Sequence, residues 1–173
     1  MISVFVGTSV DGFLARPNGT FDFLIPFEGE PHGYEEFVAG VDAVVIGRKT
    51  FEVVVGMQPE WYYGKKRVVV LSSKPVDLSS VKEGAVEQMS GTPGQIVERL
   101  AATGAHKLYV DGGITIQQFL RAGLIHRLVI TRVPVLIGEG IPLFGPLPSD
   151  VKLRHISTKN YPNGMVTSEY HVA

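Results

Sequence analysis

Lys107 to Leu120, KLYVDGGITIQQFL, is the stretch whose reading decides the fold. Leu108-Tyr109-Val110 is a short apolar run suited to a buried strand. Asp111, Gly112 and Gly113 follow, and then Ile116, Phe119, Leu120 and Leu124 recur at helical spacing. A strand that passes through two glycines into a helix leaves backbone N–H groups free at the turn. No Cβ holds a ligand away from them, and the helix start adds partial positive charge, so the turn suits a phosphate or pyrophosphate. The plainer alternative is that the glycines only permit a tight turn.

Two other places share this grammar. Asp42 to Gly47 reads as a strand ending in glycine, followed by Arg48, Lys49 and Thr50 where a helix begins. Arg67 to Leu71, RVVVL, is a further apolar strand, with Ser72, Ser73 and Lys74 just beyond its carboxyl end. Ile2 to Val6 predicts a buried first strand. Pro31 to Val38 and Gln95 to Thr103 predict helices, and Val86 marks a short strand. The segment from Arg16 to Glu30 is a long loop rich in Phe and Leu, of the kind that forms lids and binding loops.

Beyond the Gly-Gly unit the pattern changes. Ile125 to Leu136 is a strand bent or ended at Pro134, and Ile137 to Pro148 is a Gly/Pro-rich loop. Val151 to Thr158 and Met165 to Val172 flank Asn160-Tyr-Pro-Asn-Gly164 and predict an antiparallel hairpin. The first two-thirds of the chain alternate strand and helix, so the class is α/β with a largely parallel sheet and an antiparallel end. The length, 173 residues, fits one domain spanning 1–173. Ligands bind beyond the carboxyl ends of the strands in such sheets. Gly47–Thr50, Leu71–Lys74 and Asp111–Thr115 would converge there, which points to an anionic cofactor.

Composition narrows the chemistry. Net charge is −1, from 16 basic and 17 acidic residues, and this gives no electrostatic footprint for nucleic acid or an anionic membrane. There is no cysteine, so disulfides, thiolate metal sites and a cysteine nucleophile are excluded. The five histidines show no close ligand pairing, and no metal site is expected. No apolar run approaches membrane-span length. The N-terminus lacks a basic leader region, so the expected location is cytoplasmic. The G-x-G-x-x-G and G-x-x-x-x-G-K-[ST] fingerprints are both absent. Three phosphate-suited turns on one sheet edge still suit a dinucleotide. Arg48 with a hydroxyl pair could grip a ribose 2′-phosphate, favouring NADPH over NADH. A solvated Arg48 and a helix-capping Thr50 are the alternatives.

In chain order, MISVFVGTSVDGFLA, VVIGRKTFE, VVVLSS and DGGITIQQFL resemble the dihydrofolate reductase superfamily. Together with LIHRLVITRVPVLIGEGIPLF, the DGG unit is similar to the branch containing the reductase domain of the riboflavin pathway. This resemblance implies a three-layer dihydrofolate reductase-like fold, in which a mostly parallel eight-stranded sheet carries antiparallel C-terminal strands and helices on both faces. It also implies NADPH as hydride donor and a homodimer. Val6 and Gly7 would border the nicotinamide, and Gly47, Arg48, Lys49 and Thr50 would hold phosphates. Leu71, Ser72 and Ser73 would frame the adenosine 2′-phosphate end. Asp111 belongs to the same cofactor turn, where Gly112, Gly113, Ile114 and Thr115 would meet the pyrophosphate, with a cis peptide between the two glycines.

One departure bears on the substrate. Where dihydrofolate reductases carry a carboxylate on the helix after the first loop, this chain has Gly33 when aligned on Phe37. Asp22, in the loop Thr20 to Leu24, is the preferred substitute as substrate-binding or proton-donating carboxylate, and a solvated loop acid is its alternative. Phe21, Phe23 and Phe27 are expected to wall the substrate. The expected function is an NADPH-dependent reductase of a small heterocycle: a pterin, a dihydrofolate-like compound or a riboflavin-pathway pyrimidine. A non-catalytic NADPH-binding module or sensor on the same fold is the competing reading.

Overall fold

Val44, Val45 and Ile46 are all fully excluded from solvent, although neighbouring residues on a strand point to opposite faces. Both faces of this sheet are therefore covered, and that is why its parallel strands read as unbroken apolar runs. The computed structural model describes residues 1–27, 29, 31–57 and 60–173. Its eight-stranded sheet combines β1 (Ile2–Thr8), β3 (Ala43–Gly47), β4 (Arg67–Leu71), β5 (Ala85–Met89), β6 (Leu108–Asp111), β7 (Arg127–Arg132), β9 (Leu153–Asn160) and β10 (Val166–Val172). The order is β5-β4-β3-β6-β1-β7-β10-β9. β10 runs antiparallel to both β7 and β9, and the pairings from β5 to β7 are parallel.

The helices divide between the faces. Phe37 of α1 (Tyr34–Ala39) and Phe51 and Val54 of α2 (Arg48–Met57) join Phe5, Val44, Ile46, Val68, Val70 and Tyr109 on one side. Ile96 and Leu100 of α3 (Pro93–Ala102) and Ile116 and Phe119 of α4 (Gly113–Arg121) join Val4, Val6, Val45, Val69 and Val110 on the other. Each such fully buried side chain contributes about 1.5–3 kcal/mol. The expected three layers are present. α3 begins at Pro93 because Thr92 and Gln95 form a reciprocal capping box.

The expected strand Ile125–Leu136 is shorter in the structure, and the loop after it contains a strand of its own. β7 ends at Arg132, before Pro134, whose missing N–H cannot extend the ladder. β8 (Ile141–Pro142) then pairs antiparallel with β2 (Phe13–Ala15). Asp11 fixes this connection by accepting from the backbone N–H groups of Gly138 at 2.8 Å and Ile137 at 3.3 Å. Within the long Arg16–Glu30 loop, Asp22–Phe27 forms a 3₁₀ helix, while Glu28 and Glu30 lie outside the described residues. β9 is exposed along its whole length at the sheet edge. Among the described residues, no helix is long and apolar enough to cross a membrane.

The order β3-β6-β1 brings the carboxyl ends of three strands side by side, with Ile46 opposite Asp111 and Gly47 opposite Leu71. Two helices start from this rim: α2 directly after Gly47, and α4 directly after Gly112. They interlock. A Cβ on Gly47 would lie 2.9 Å from Thr115 Oγ1, and one on Gly112 would collide with Thr50 Oγ1. Gly112 also has φ 95 and ψ 134, a conformation that side-chain-bearing residues rarely adopt. Among the described residues there is no cis peptide bond, so the cis bond implied by the resemblance between Gly112 and Gly113 is corrected to trans. The positive φ of Gly112 makes the turn instead.

Candidate active site

A cavity of about 280 Å³ opens where the carboxyl ends of β1, β3 and β6 meet. Seven of the residues expected to bind cofactor line it: Val6, Gly7, Lys49, Thr50, Asp111, Gly112 and Gly113. The others of that set do not line the cavity. Gly47 and Leu71 are paired strand ends, with Arg48 and Ser72 directly after them. Thr115 is buried towards Gly47, and Ile114 is exposed. α4 starts without a side-chain cap, so its first-turn N–H groups have no side-chain acceptor.

Two of the expected phosphate ligands already have partners. Arg48 Nη1 donates to Glu52 Oε1 at 2.7 Å, one helical turn on, and both side chains are about half exposed. Ser72 Oγ donates to the Lys74 carbonyl at 2.7 Å and accepts from the Lys74 N–H at 3.1 Å. Ser73 stands exposed beside that turn.

Asp22 does not reach the cavity. Arg16 holds its carboxylate with two hydrogen bonds, of 2.6 and 3.1 Å, on the exposed side of the 3₁₀ helix. That arginine also lowers the Asp22 pKa, which makes it a poor proton donor. The same helix turns Leu24 and Phe27 inward to line the cavity, together with Phe21. Phe23 instead buries itself against Val133, Tyr161 and Met165, so the expected phenylalanine wall is Phe21, Leu24 and Phe27.

Among the described residues, the carboxylate inside the cavity is Asp111. Period-two alternation along β6 places it on the same sheet face as Tyr109. Its Oδ1 accepts from the Gly112 N–H at 2.8 Å, and its Oδ2 accepts from the Tyr63 hydroxyl at 3.2 Å. Around it stand Phe5, His32, Tyr34, Tyr62 and Tyr109, all lining residues. Phe5 lies 5.6 Å from His32 and 5.5 Å from Tyr34, while His32 and Tyr34 stack at 6.4 Å with a 15° interplanar angle. Tyr34 also meets Tyr62 at 5.9 Å, and Tyr62 meets Tyr63 edge-on at 5.0 Å. The Tyr109 hydroxyl donates to the Phe5 carbonyl at 2.9 Å, which fixes that ring against β1.

Burial raises the Asp111 carboxyl above its usual 3.8, and the Gly112 N–H bond works against it. Burial likewise raises Tyr34, Tyr63 and Tyr109, so these phenols stay protonated at neutral pH. Gly33 carries no acid; it caps α1 at φ 88 and presents His32 and Tyr34 to the cavity on either side.

Sequence reasoning counted Asp111 among the cofactor ligands and missed it as an acid. Strand alternation from Tyr109 was the signal that could have found it. Tyr62 and Tyr63 gave no such signal, because they lie in an irregular segment between α2 and β4.

The model of the RibD C-terminal domain family matches residues 1–167. The chain belongs to this family. A structure of a Shewanella sp. PV-4 protein, provisionally assigned to riboflavin biosynthesis, is 34% identical with a TM-score of 0.90, covering 99% of this chain and 98% of that one. The uncharacterized Bacillus subtilis protein YwjB is 32% identical over 91% of this chain and 90% of its own length. The fold is also that of Enterococcus faecalis dihydrofolate reductase, solved with NADP(H), at 18% identity and a TM-score of 0.64 over 99% of this chain and 96% of that one. This RibD C-terminal domain also superposes on a Thermotoga maritima deaminase/5-amino-6-(5-phosphoribosylamino)uracil reductase, covering 56% of that longer chain, with a TM-score of 0.72 at 14% identity.

The raised Asp111 pKa has a stability signature. The protonated form is favoured in the folded chain, so its contribution is present below the unfolded value of 3.8 and is lost as pH rises through the higher folded value. In thermal unfolding from pH 4 to pH 8, Asp111→Asn is expected to gain stability relative to wild type as pH rises. A difference that stays constant with pH would contradict this.

Proposed function

We propose that this RibD C-terminal domain is an NADPH-dependent reductase of a small flat heterocycle of pyrimidine or pterin type. The observation that carries the reading is the continuity of two features. An uncapped glycine-to-helix rim runs directly into an aromatic chamber that contains, among the described residues, one carboxylate, Asp111. The two interlocked glycine turns leave a concave backbone that a Cβ would fill, which fits a pyrophosphate at the α2 and α4 starts. The Enterococcus faecalis enzyme on the same fold, solved with NADP(H), supports the choice of cofactor.

Gly47, Lys49, Thr50, Gly112, Gly113, Ile114 and Thr115 would hold the phosphates, and Val6 and Gly7 would border the nicotinamide. Arg48, with Leu71, Ser72 and Ser73, would frame the 2′-phosphate. Arg48 must first exchange Glu52 for that phosphate. An exposed ion pair contributes only about 0.2–1 kcal/mol, whereas a hydrogen bond to a charged group contributes about 1.5–3 kcal/mol, so the exchange is favourable. When bound, the nicotinamide supplies hydride. Asp111 is the proton donor in this reading: it lines the chamber, burial shifts it towards its protonated form, and Tyr63 fixes the position of its Oδ2. Phe21, Leu24 and Phe27 exclude water from above.

Calorimetric titration tests the cofactor half. Wild type is expected to bind NADPH more tightly than NADH, and Arg48→Ala should lower NADPH affinity about tenfold or more with NADH unaffected. An unchanged NADPH/NADH ratio in the variant would overturn the placement of the 2′-phosphate, and binding of neither nucleotide by wild type would overturn the reductase reading. Asp111→Asn tests the catalytic half. Turnover of a pyrimidine or pterin should fall on the order of 10²-fold or more at unchanged NADPH affinity. Full turnover in that variant would remove Asp111 from the proton step.

A further inference from the structure

We infer that this chain reduces an unphosphorylated flat ring, and that its substrate differs in this respect from the phosphoribosylaminouracil named for the Thermotoga maritima enzyme. The inference rests on the reductase reading above and adds the substrate class.

A phosphate dianion held against the chamber's apolar walls needs cations or several N–H donors, because desolvating it without them is strongly unfavourable. Lys49 is the only lysine or arginine that lines the cavity among the described residues, and it sits at the start of α2, on the cofactor rim. The four residues outside the described set are Glu28, Glu30, Gln58 and Pro59, and none of them is cationic. Arg16 is committed to Asp22 by two hydrogen bonds, and Arg127, whose guanidinium lies over the Phe37 ring, to Glu169 by two more.

The chamber offers ring faces instead. Phe5, His32, Tyr34, Tyr62 and Tyr109 surround Asp111 with centroid separations of 5.5–6.4 Å. Such walls take a planar heterocycle by offset or edge-on stacking. Asp111 can accept from a ring N–H or exocyclic amine, and when ionised it repels a phosphate. The helix starts that could receive an anion belong to the dinucleotide in this reading, which leaves the chamber, among its described lining residues, with the single imidazole of His32 and no lysine or arginine for a second anion.

The test is calorimetry on NADPH-saturated protein with two matched pairs of probes. One pair is the ribosylaminouracil and its 5-phosphate; the other is hydroxymethylpterin and its monophosphate. For whichever ring binds, the unphosphorylated member is expected to bind at least about tenfold tighter, because the added phosphate meets no lysine or arginine in the chamber. Equal or tighter binding of a phosphorylated member would overturn the inference. Absence of binding by all four probes to protein that binds NADPH would overturn the flat-ring assignment. Failure of NADPH itself to bind, measured first, would overturn the reductase reading instead, so the two failures are distinct.

Discussion

The mutual fit of two glycines and two threonines fixes the geometry of this fold's functional edge. Gly47 and Thr50 on the β3-α2 unit face Thr115 and Gly112 on the β6-α4 unit, and each threonine occupies the space that the opposite glycine leaves open. Neighbouring parallel strands lie ~4.8 Å apart, so two helices can leave adjacent carboxyl ends only if something at the crossing is very small. Larger side chains here would part β3 from β6, and with them the two helix starts. The rim that would hold a pyrophosphate is therefore set by backbone packing.

The aromatic chamber follows from the same strand order. With β6 inserted between β3 and β1, Tyr109 and Asp111 on one face of β6 come next to Phe5 on β1, while α1 contributes Tyr34 across the gap. The aromatic rings replace water around Asp111, which raises its pKa, and the hydrogen bonds from Gly112 and Tyr63 fix both of its oxygens. The glycine rim and the buried carboxylate are thus neighbours in sequence, at Gly112 and Asp111. Gly33 carries no acid, and among the described residues the carboxylate that lines the chamber comes instead from the end of β6.

Much of this was legible in the chain because the constraints are local. Unbroken apolar runs such as RVVVL announce strands buried on both faces, and glycine three residues before threonine recurs at Gly47/Thr50 and Gly112/Thr115. The antiparallel end was marked by Asn163-Gly164 between two alternating segments. What escaped depends on tertiary contact. Asp22 reads as a free loop carboxylate, and only the folded chain shows Arg16 closing on it. Tyr62 and Tyr63 lie in a segment with neither helical nor strand period, so their arrival at the chamber depends on where α2 ends and β4 begins. The trans geometry at Gly112-Gly113 is likewise invisible in sequence, because glycine admits either way of making the turn.

The most direct test of the central claim, that the interlocked glycine turns hold the dinucleotide, is an amide NMR titration of the ¹⁵N-labelled protein with NADPH. The largest shifts are expected on Gly47, Arg48, Gly112, Gly113 and Thr115, with smaller ones on Val6 and Gly7 and little change along β9. Shifts concentrated away from both glycine turns, or absent at saturating nucleotide, would contradict it.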